Sequence, residues 1–225
     1  ARAEEGVLVL WQWLVEDYPA EPALLMELQA QLSDDAVLVS FNGRSFDMPL
    51  TRSRFILNRL RAPEPPHADI LPACRRLWRR RLGSCALGDL ELPVLGQARG
   101  EDIPGAQIPE VFLAWLRDRE PTRMSLVADH NAQDVASLAA LTLIAAEAHA
   151  QPLACQDIDE AALGAWLARR NPATALALLR RGHAKGDERA GLALAALLRR
   201  LSQHEERERV LEALKPNAYT LTELA

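Results

Sequence analysis

Three residues have the types and spacing that could do chemistry: Asp47, His130 and Asp134. Asp47 follows an aliphatic, β-branched run, Val37 to Val39, which reads as a buried strand. Asn42-Gly43 then supplies turn chemistry. Ser45 is a candidate helix cap, because its hydroxyl would accept a bond from an orphan backbone N–H. Pro49 suits a first helical turn, and Leu50, Phe55, Ile56, Leu57 and Leu60 carry a helix onward. Asp47 is therefore expected at a strand-to-helix junction, where the positive helix end favours an ionised carboxylate. Such a group is a candidate ligand for a hard cation. The same position equally suits a first-turn acid with a dipole role only. His130 and Asp134 are four apart in HNAQDVASL. On a helix they project from one face, one turn apart. A proton acceptor beside a carboxylate ligand would have that spacing, and so would an ordinary helix-surface pair. Histidine is the side chain that exchanges protons near neutrality.

These residues need a scaffold, and the composition supports one. The chain has 225 residues, 49% hydrophobic and 25% charged, enough for one sizeable core or two smaller ones. No apolar run reaches the ~18 residues of a membrane span, and no signal-peptide pattern opens it. Cys74, Cys85 and Cys155 are widely spaced without a CxxC pair. They read as free thiols of a reducing cytosol, so a cytoplasmic location is expected. The net charge is −5, yet residues 44 to 81 hold ten arginines against Asp47, Glu64 and Asp69. A basic zone in an acidic chain is either a phosphate-binding surface or a solvated helix face.

Residues 7 to 14 read as a strand with Trp11 and Trp13 on one face. Residues 22–32 read as a helix, followed by the strand and the Asp47 helix to about Leu60. That alternation predicts a layered α/β unit. APEPPH at 62–67 is a loop. Asp69 is read as the N-cap of a helix to about Leu82, in preference to a metal ligand. Arg75, Arg76, Arg79, Arg80 and Arg81 form a stripe on that helix. Residues 86–96 suggest a short helix stopped near Pro93 and Gly96. Its Asp89-x-Glu91 looks like an acidic pair, but on a helix i and i+2 point apart, so it is read as a decoy. Residues 97–108 form a loop, 109–119 a helix, and 122 to about 149 a long helix. Asn131 and Gln133 on the latter are read as solvated. After Gln151-Pro152, four helices are expected at 159–169, 172–182, 187–201 and 203–214. Paired as hairpins, they resemble tetratricopeptide-type repeats. The expected domains are 1–150 and 151–225, with the second as a surface for a protein partner.

Five segments in order, VSFNGRSFDMPL, HADILPACRRLWRRRL, SCALGDLE with VLG, DIPG with IPE, and HNAQDVASL, resemble the YprB-type ribonuclease H-like family of the DEDD exonuclease superfamily. FNGRSFDMPL is similar to that family's second exonuclease motif, and family-B polymerase proofreading domains carry a related pattern. The resemblance spans roughly residues 7 to 145. It implies an RNase H-like α/β fold and metal-dependent 3′–5′ exonuclease chemistry on nucleic acid. By motif match, Asp47 and Asp134 take metal-ligand positions and His130 the base, while Asn42 and Phe46 fall where substrate ends are contacted. The implied cofactors are two Mg²⁺ or Mn²⁺ ions, ~3.5–4 Å apart in such sites. Arg75, Arg76 and Arg79 would hold backbone phosphates without reading sequence. The family's opening D-x-E is not present. Residues 7–14 would then correspond to a third strand, with a first hairpin of about 30 residues upstream of Ala1. On that expectation the 225-residue chain has negligible nuclease activity, and a longer chain degrades single-stranded ends. The competing expectation is a non-catalytic module that binds nucleic acid or a protein.

Overall fold

The computed structural model describes residues 1–32, 36–100 and 102–214. Strands β1 (Arg2–Glu4) and β2 (Val7–Val9) pair antiparallel, with Arg2 opposite Val9 and Glu4 opposite Val7. Glu5 and Gly6 between them both have positive φ, the geometry that matches a two-residue turn to strand twist. The strand expected over 7–14 stops at Val9, because β1 offers partners only that far. Trp11 and Trp13 lie beyond it, 38% and 41% exposed. A short 3₁₀ turn, Tyr18–Ala20, leads into helix α1 (Glu21–Gln31).

Strand β3 (Leu38–Ser40) and strand β4 (His67–Asp69) pair in parallel, Leu38 with His67 and Ser40 with Asp69. Parallel neighbours need a crossover, and helix α2 (Asp47–Leu57) supplies it. Glu21 at the start of α1 receives Arg54 of α2 through both carboxylate oxygens, at 2.6 and 2.5 Å, and Asn58 at 2.8 Å. Arg54 is the main reason the Glu21 carboxyl sits below the usual range, with Asn58 adding to it against the opposing effect of burial.

Helix α3 (Leu71–Leu82) follows β4. Helix α4 (Leu87–Leu90) runs into a π-helical turn, Glu91–Leu95, which Gly96 ends in the left-handed conformation. A 3₁₀ turn at Gly105–Gln107 leads to helix α5 (Ile108–Asp118), then to the long helix α6 (Pro121–Ala150). Ile103, Val111 and Met124 form a small buried cluster there, flanked by Phe112 and Trp115.

The remaining helices are α7 (Glu160–Leu167), α8 (Pro172–Ala184), α9 (Glu188–Arg200) and α10 (His204–Ala213). Three begin at the caps their sequences offer. Asp159, Asn171 and Asp187 accept the N–H of Ala162, Thr174 and Arg189. Leu163, Leu178, Leu179, Leu194 and Leu198 are fully buried between them.

The compact units do not divide at residue 150. Unit 1 is Ala1–Leu71 with Ala86–Thr142, and unit 2 is Pro72–Cys85 with the chain from Leu143 onward. α3 explains the difference. Its Cys74, Leu77 and Trp78 are buried, the Leu77 carbonyl accepts the Asp159 N–H at 2.8 Å, and Arg80 pairs with Asp187. A helix that sequence order assigns to the first domain thus completes the helical unit. Among the described residues no helix is long and apolar enough to cross a membrane.

Candidate functional site

In unit 1, the β3–α2 junction is the turn-plus-helix that its sequence predicts. Asn42 adopts φ 63°, a conformation asparagine tolerates better than most residues. A Cβ on Gly43 would lie 2.6 Å from the Ser40 side chain, so only glycine fits there. Asp69, at the end of β4, accepts the backbone N–H groups of Asn42 (2.9 Å), Arg44 (3.1 Å) and Leu71 (3.1 Å). Asp69 ends β4 two positions before α3, so it is not the N-cap residue; its carboxylate serves the first helical N–H and ties the β3 turn to β4. Asp47 opens α2 and is exposed. Ser45 is not the cap. Phe46 occupies the N-cap position without a side-chain bond, because backbone carbonyls already serve the turn. The Asn42 carbonyl accepts from Ser45 and Phe46, and that of Gly43 from Met48. Phe46 is left 68% exposed beside Asp47.

The second part of the site lies on α6. His130 Nε2 is 3.5 Å from Asp134, one turn on, as the i,i+4 spacing requires. His130 Nδ1 is 2.7 Å from Asp102. Arg99 lies among three carboxylates. It pairs with Asp134, with Asp102 at 3.0 Å, and with both oxygens of Glu91 at 2.5 and 2.9 Å. Glu91 is 1% exposed and also accepts from the Ser137 hydroxyl at 2.5 Å. Gln133 donates to Ser137 at 3.2 Å, so it is part of this network and not solvated. Asn131 donates to Gln12 at 2.8 Å.

The charges follow from that geometry. Burial alone would raise the Glu91 carboxyl, but bonds from Arg99 and Ser137 outweigh it and hold the group below the usual range. Asp102 is likewise depressed: burial opposes ionisation, and Arg99 with His130 more than offset it. Arg99 is held firmly charged, first by Glu91 and then by Asp134 and Asp102. Arg99 carries no sequence signal of its own; Asp102 and Ser137 fall inside the DIPG and HNAQDVASL segments, but their roles come from distant partners. The sequence pattern presents Glu91 as half of a decoy pair. It is in fact the buried centre of the network.

The structure joins His130 to Asp134. Among the described residues, no three His, Cys, Asp or Glu side chains are gathered to hold a metal ion. Both Asp134 oxygens already face partners, Arg99 and His130. As placed, these residues do not fit a two-metal centre. Asn42 and Phe46 are exposed at the β3–α2 junction. In unit 2, Arg75 and Arg79 are exposed, whereas Arg76 is half-buried with its guanidinium 4.4 Å from the Trp166 ring centre.

A family model described as RNase_H superfamily matches residues 2–145. The chain belongs to the RNase H superfamily. It is also similar to the Bacillus subtilis (strain 168) protein described as uncharacterized protein YprB, at 34% identity over 158 residues, so it is a YprB-type member. That match covers 67% of this chain and 38% of the relative. No solved structure matches. The RNase H-like assignment agrees with the α/β arrangement of β3, α2 and β4 and the helical C-terminal region. Membership points to nuclease-type chemistry on nucleic acid, and RNase H-like proteins generally use divalent metals.

Proposed function

We propose that this chain is a module of a 3′–5′ exonuclease that hydrolyses phosphodiester bonds at single-stranded nucleic-acid ends with Mg²⁺ or Mn²⁺. The observation that carries the reading is the β3–α2 junction. Asp69 and Gly43 hold its turn so that Asn42, Phe46 and Asp47 stand together at the mouth of a parallel strand pair. A carboxylate and an exposed aromatic side by side suit a strand end, one offering charge and the other a face for a base. In the longer protein Asp47 and Asp134 would be the carboxylates for the ions once Asp134 is released from Arg99, and His130 would be the group to move a proton. Arg75, Arg76 and Arg79 hold backbone phosphates. Hard cations require more oxygen ligands than two carboxylates give. This chain alone is therefore expected to have negligible activity, and a longer protein that supplies an acidic pair is expected to be active.

The test is a labelled single strand incubated with each version, with Mg²⁺, with Mn²⁺ and with chelator. Asp134→Ala should abolish the longer protein's activity. His130→Ala should cost less, because water can partly replace a base but not an anionic ligand. Asp134→Asn keeps the shape and separates loss of charge from loss of fold. A folded longer protein with the acidic pair that leaves every strand intact would overturn the enzyme reading. The second reading is then a non-catalytic nucleic-acid-binding module. One observation favours it: Asp134 is held by Arg99, not left open for a cation.

A further inference from the structure

Four arginines of unit 2 lie against carboxylates. Arg80 meets Asp187 at 2.9 Å, Arg180 meets Glu206 at 2.7 Å, Arg181 meets Glu160 at 2.6 Å and Arg189 meets Asp159 at 3.0 Å. Arg76 and Arg170 differ. Among the described residues neither has an acidic partner, and both lie on one indole. Their guanidinium carbons are 4.4 and 4.8 Å from the centre of the Trp166 ring. The His149 ring packs edge-on against the same indole at 5.4 Å. Arg76 Nη1 donates to His149 Nε2 at 3.1 Å, while His149 Nδ1–H donates to the Ala145 carbonyl at 2.7 Å. That pair of bonds fixes the imidazole and, through it, the guanidinium. Two like charges held on one ring repel each other. Arg76 titrates below the usual arginine range, first because it is partly buried and then because Arg170 is near.

An arrangement of that kind is relieved by an anion. Guanidinium is the side-chain group whose planar donors match phosphate oxygens. The surroundings extend the pattern. Arg75 and Arg79 are exposed on α3, Arg169 is exposed beside Arg170, and none of the three has a carboxylate partner among the described residues. A set of spaced cations suits a polyanion better than one small anion. Trp166 is already covered by guanidinium and imidazole, so it orients the arginines and does not offer its face to a base.

We propose that Arg76 and Arg170, positioned by Trp166 and His149, form a phosphate-binding site in unit 2 that takes a backbone phosphate of a nucleic-acid strand, with Arg75 and Arg79 on neighbouring phosphates. The nucleic-acid source of that phosphate rests on the reading proposed above. The site itself does not.

The experiment is fluorescence anisotropy of an end-labelled single-stranded oligonucleotide, DNA and RNA in parallel, with the full chain and a chelator present. Arg170→Gln should weaken binding about tenfold, the scale of one lost charge-assisted contact. The slope of log affinity against log salt should fall by about one. Arg170→Lys should restore the salt slope, which a merely structural arginine would not do. Arg180→Gln, which removes a paired arginine, should change neither quantity. Equal binding by Arg170→Gln and the unchanged chain overturns the site. Displacement of the strand by inorganic phosphate at equal phosphate concentration overturns the nucleic-acid source in favour of a free phosphate. Tighter binding of a polyglutamate peptide than of either strand overturns it in favour of an acidic protein segment. With chelator present nothing is cleaved. A protein without nuclease activity therefore leaves this site standing, and a failed site leaves the nuclease reading standing.

Discussion

Two arginine-centred clusters, one in each unit, solve opposite problems. Around Arg99 in unit 1, three carboxylates converge on one guanidinium, and Glu91 among them is 1% exposed. Around Trp166 in unit 2, two guanidiniums share an indole and no acid among the described residues answers them. The packing beneath them differs in the same sense. Unit 2 places its fully buried leucines in one helical core. Unit 1 buries Phe55, Leu90 and Leu141 fully, leaves Leu50, Ile56 and Leu57 of α2 between 58% and 68% exposed, and sets a buried charge among its bonded polar groups. A charge network with a buried carboxylate at its centre cannot be cut without losing structure. Arginines mounted on an apolar core can be cut with little effect beyond the binding they perform.

The sharpest way to break that comparison is Arg99→Ala. It strands Glu91 as a buried charge, and removing one partner of a buried pair costs about 3–5 kcal/mol. The loss should appear as faster hydrogen exchange in Glu91–Leu95 and in α6 near Ser137, with the α7–α10 amides little changed. Unchanged protection would show that Arg99 is not what holds the network. A double variant with Glu91→Gln should recover part of the loss, because the stranded charge is then gone. Leu198→Ala is the counterpart in unit 2. A fully buried leucine replaced by alanine leaves a cavity and should cost about 3 kcal/mol. Urea unfolding followed by exchange at α9 checks it. A loss below about 1 kcal/mol would mean that the site collapses to refill the space.

The same contrast explains what could be read from the chain. The helices of unit 2 were legible because their starts are written locally: Asp159, Asn171-Pro172 and Asp187 cap or open them. The β3–α2 junction was legible through Asn42-Gly43 for the same reason. The Ser45 cap was misread because backbone carbonyls in the turn already serve the amides a hydroxyl would have served. The 7–14 strand was overextended because alternation does not reveal how far a partner strand reaches. The division near 150 followed chain order, whereas α3 buries its apolar face in unit 2. Glu91 was set aside because its meaning lies 46 positions away at Ser137 and eight away at Arg99. The RNase H-like fold, by contrast, was legible through the ordered motif series, and the match over residues 2–145 agrees with it.

Acid should separate the units next. The carboxyls of Glu91, Asp102 and Glu21 in unit 1 all titrate below their usual range in the folded chain. A depressed carboxyl stabilises fully above its unfolded pKa, about 4. That contribution is lost as pH falls through the lower folded value. Amide protection in unit 1 should therefore decline as pH drops below about 4, ahead of the leucine-rich α8 and α9. In unit 2, Glu206 is depressed by Arg180, so some loss is expected there too. Equal loss in both units across that range would remove the electrostatic half of the comparison.

The smallest expected effect is the most discriminating. Arg79 and Arg80 are neighbours on α3, both exposed and of equal charge. Arg80 meets both oxygens of Asp187 at 2.9 Å, while Arg79 has no carboxylate among the described residues. Asp187 also caps α9 by accepting the Arg189 N–H, so it stays in place without Arg80. Arg80 is 54% exposed, and such a surface pair contributes at most about 1 kcal/mol. Arg80→Gln should therefore leave both stability and strand affinity nearly unchanged, since its charge is already balanced by a carboxylate. Arg79→Gln should leave stability unchanged but lower strand affinity and reduce the salt slope by about one. The two variants differ by one sequence position and by the presence of a counter-charge. If both weaken binding alike, local pairing does not select which arginines meet phosphate. The whole basic face of α3 then acts as one field, and the distinction between balanced and unbalanced arginines loses its functional meaning.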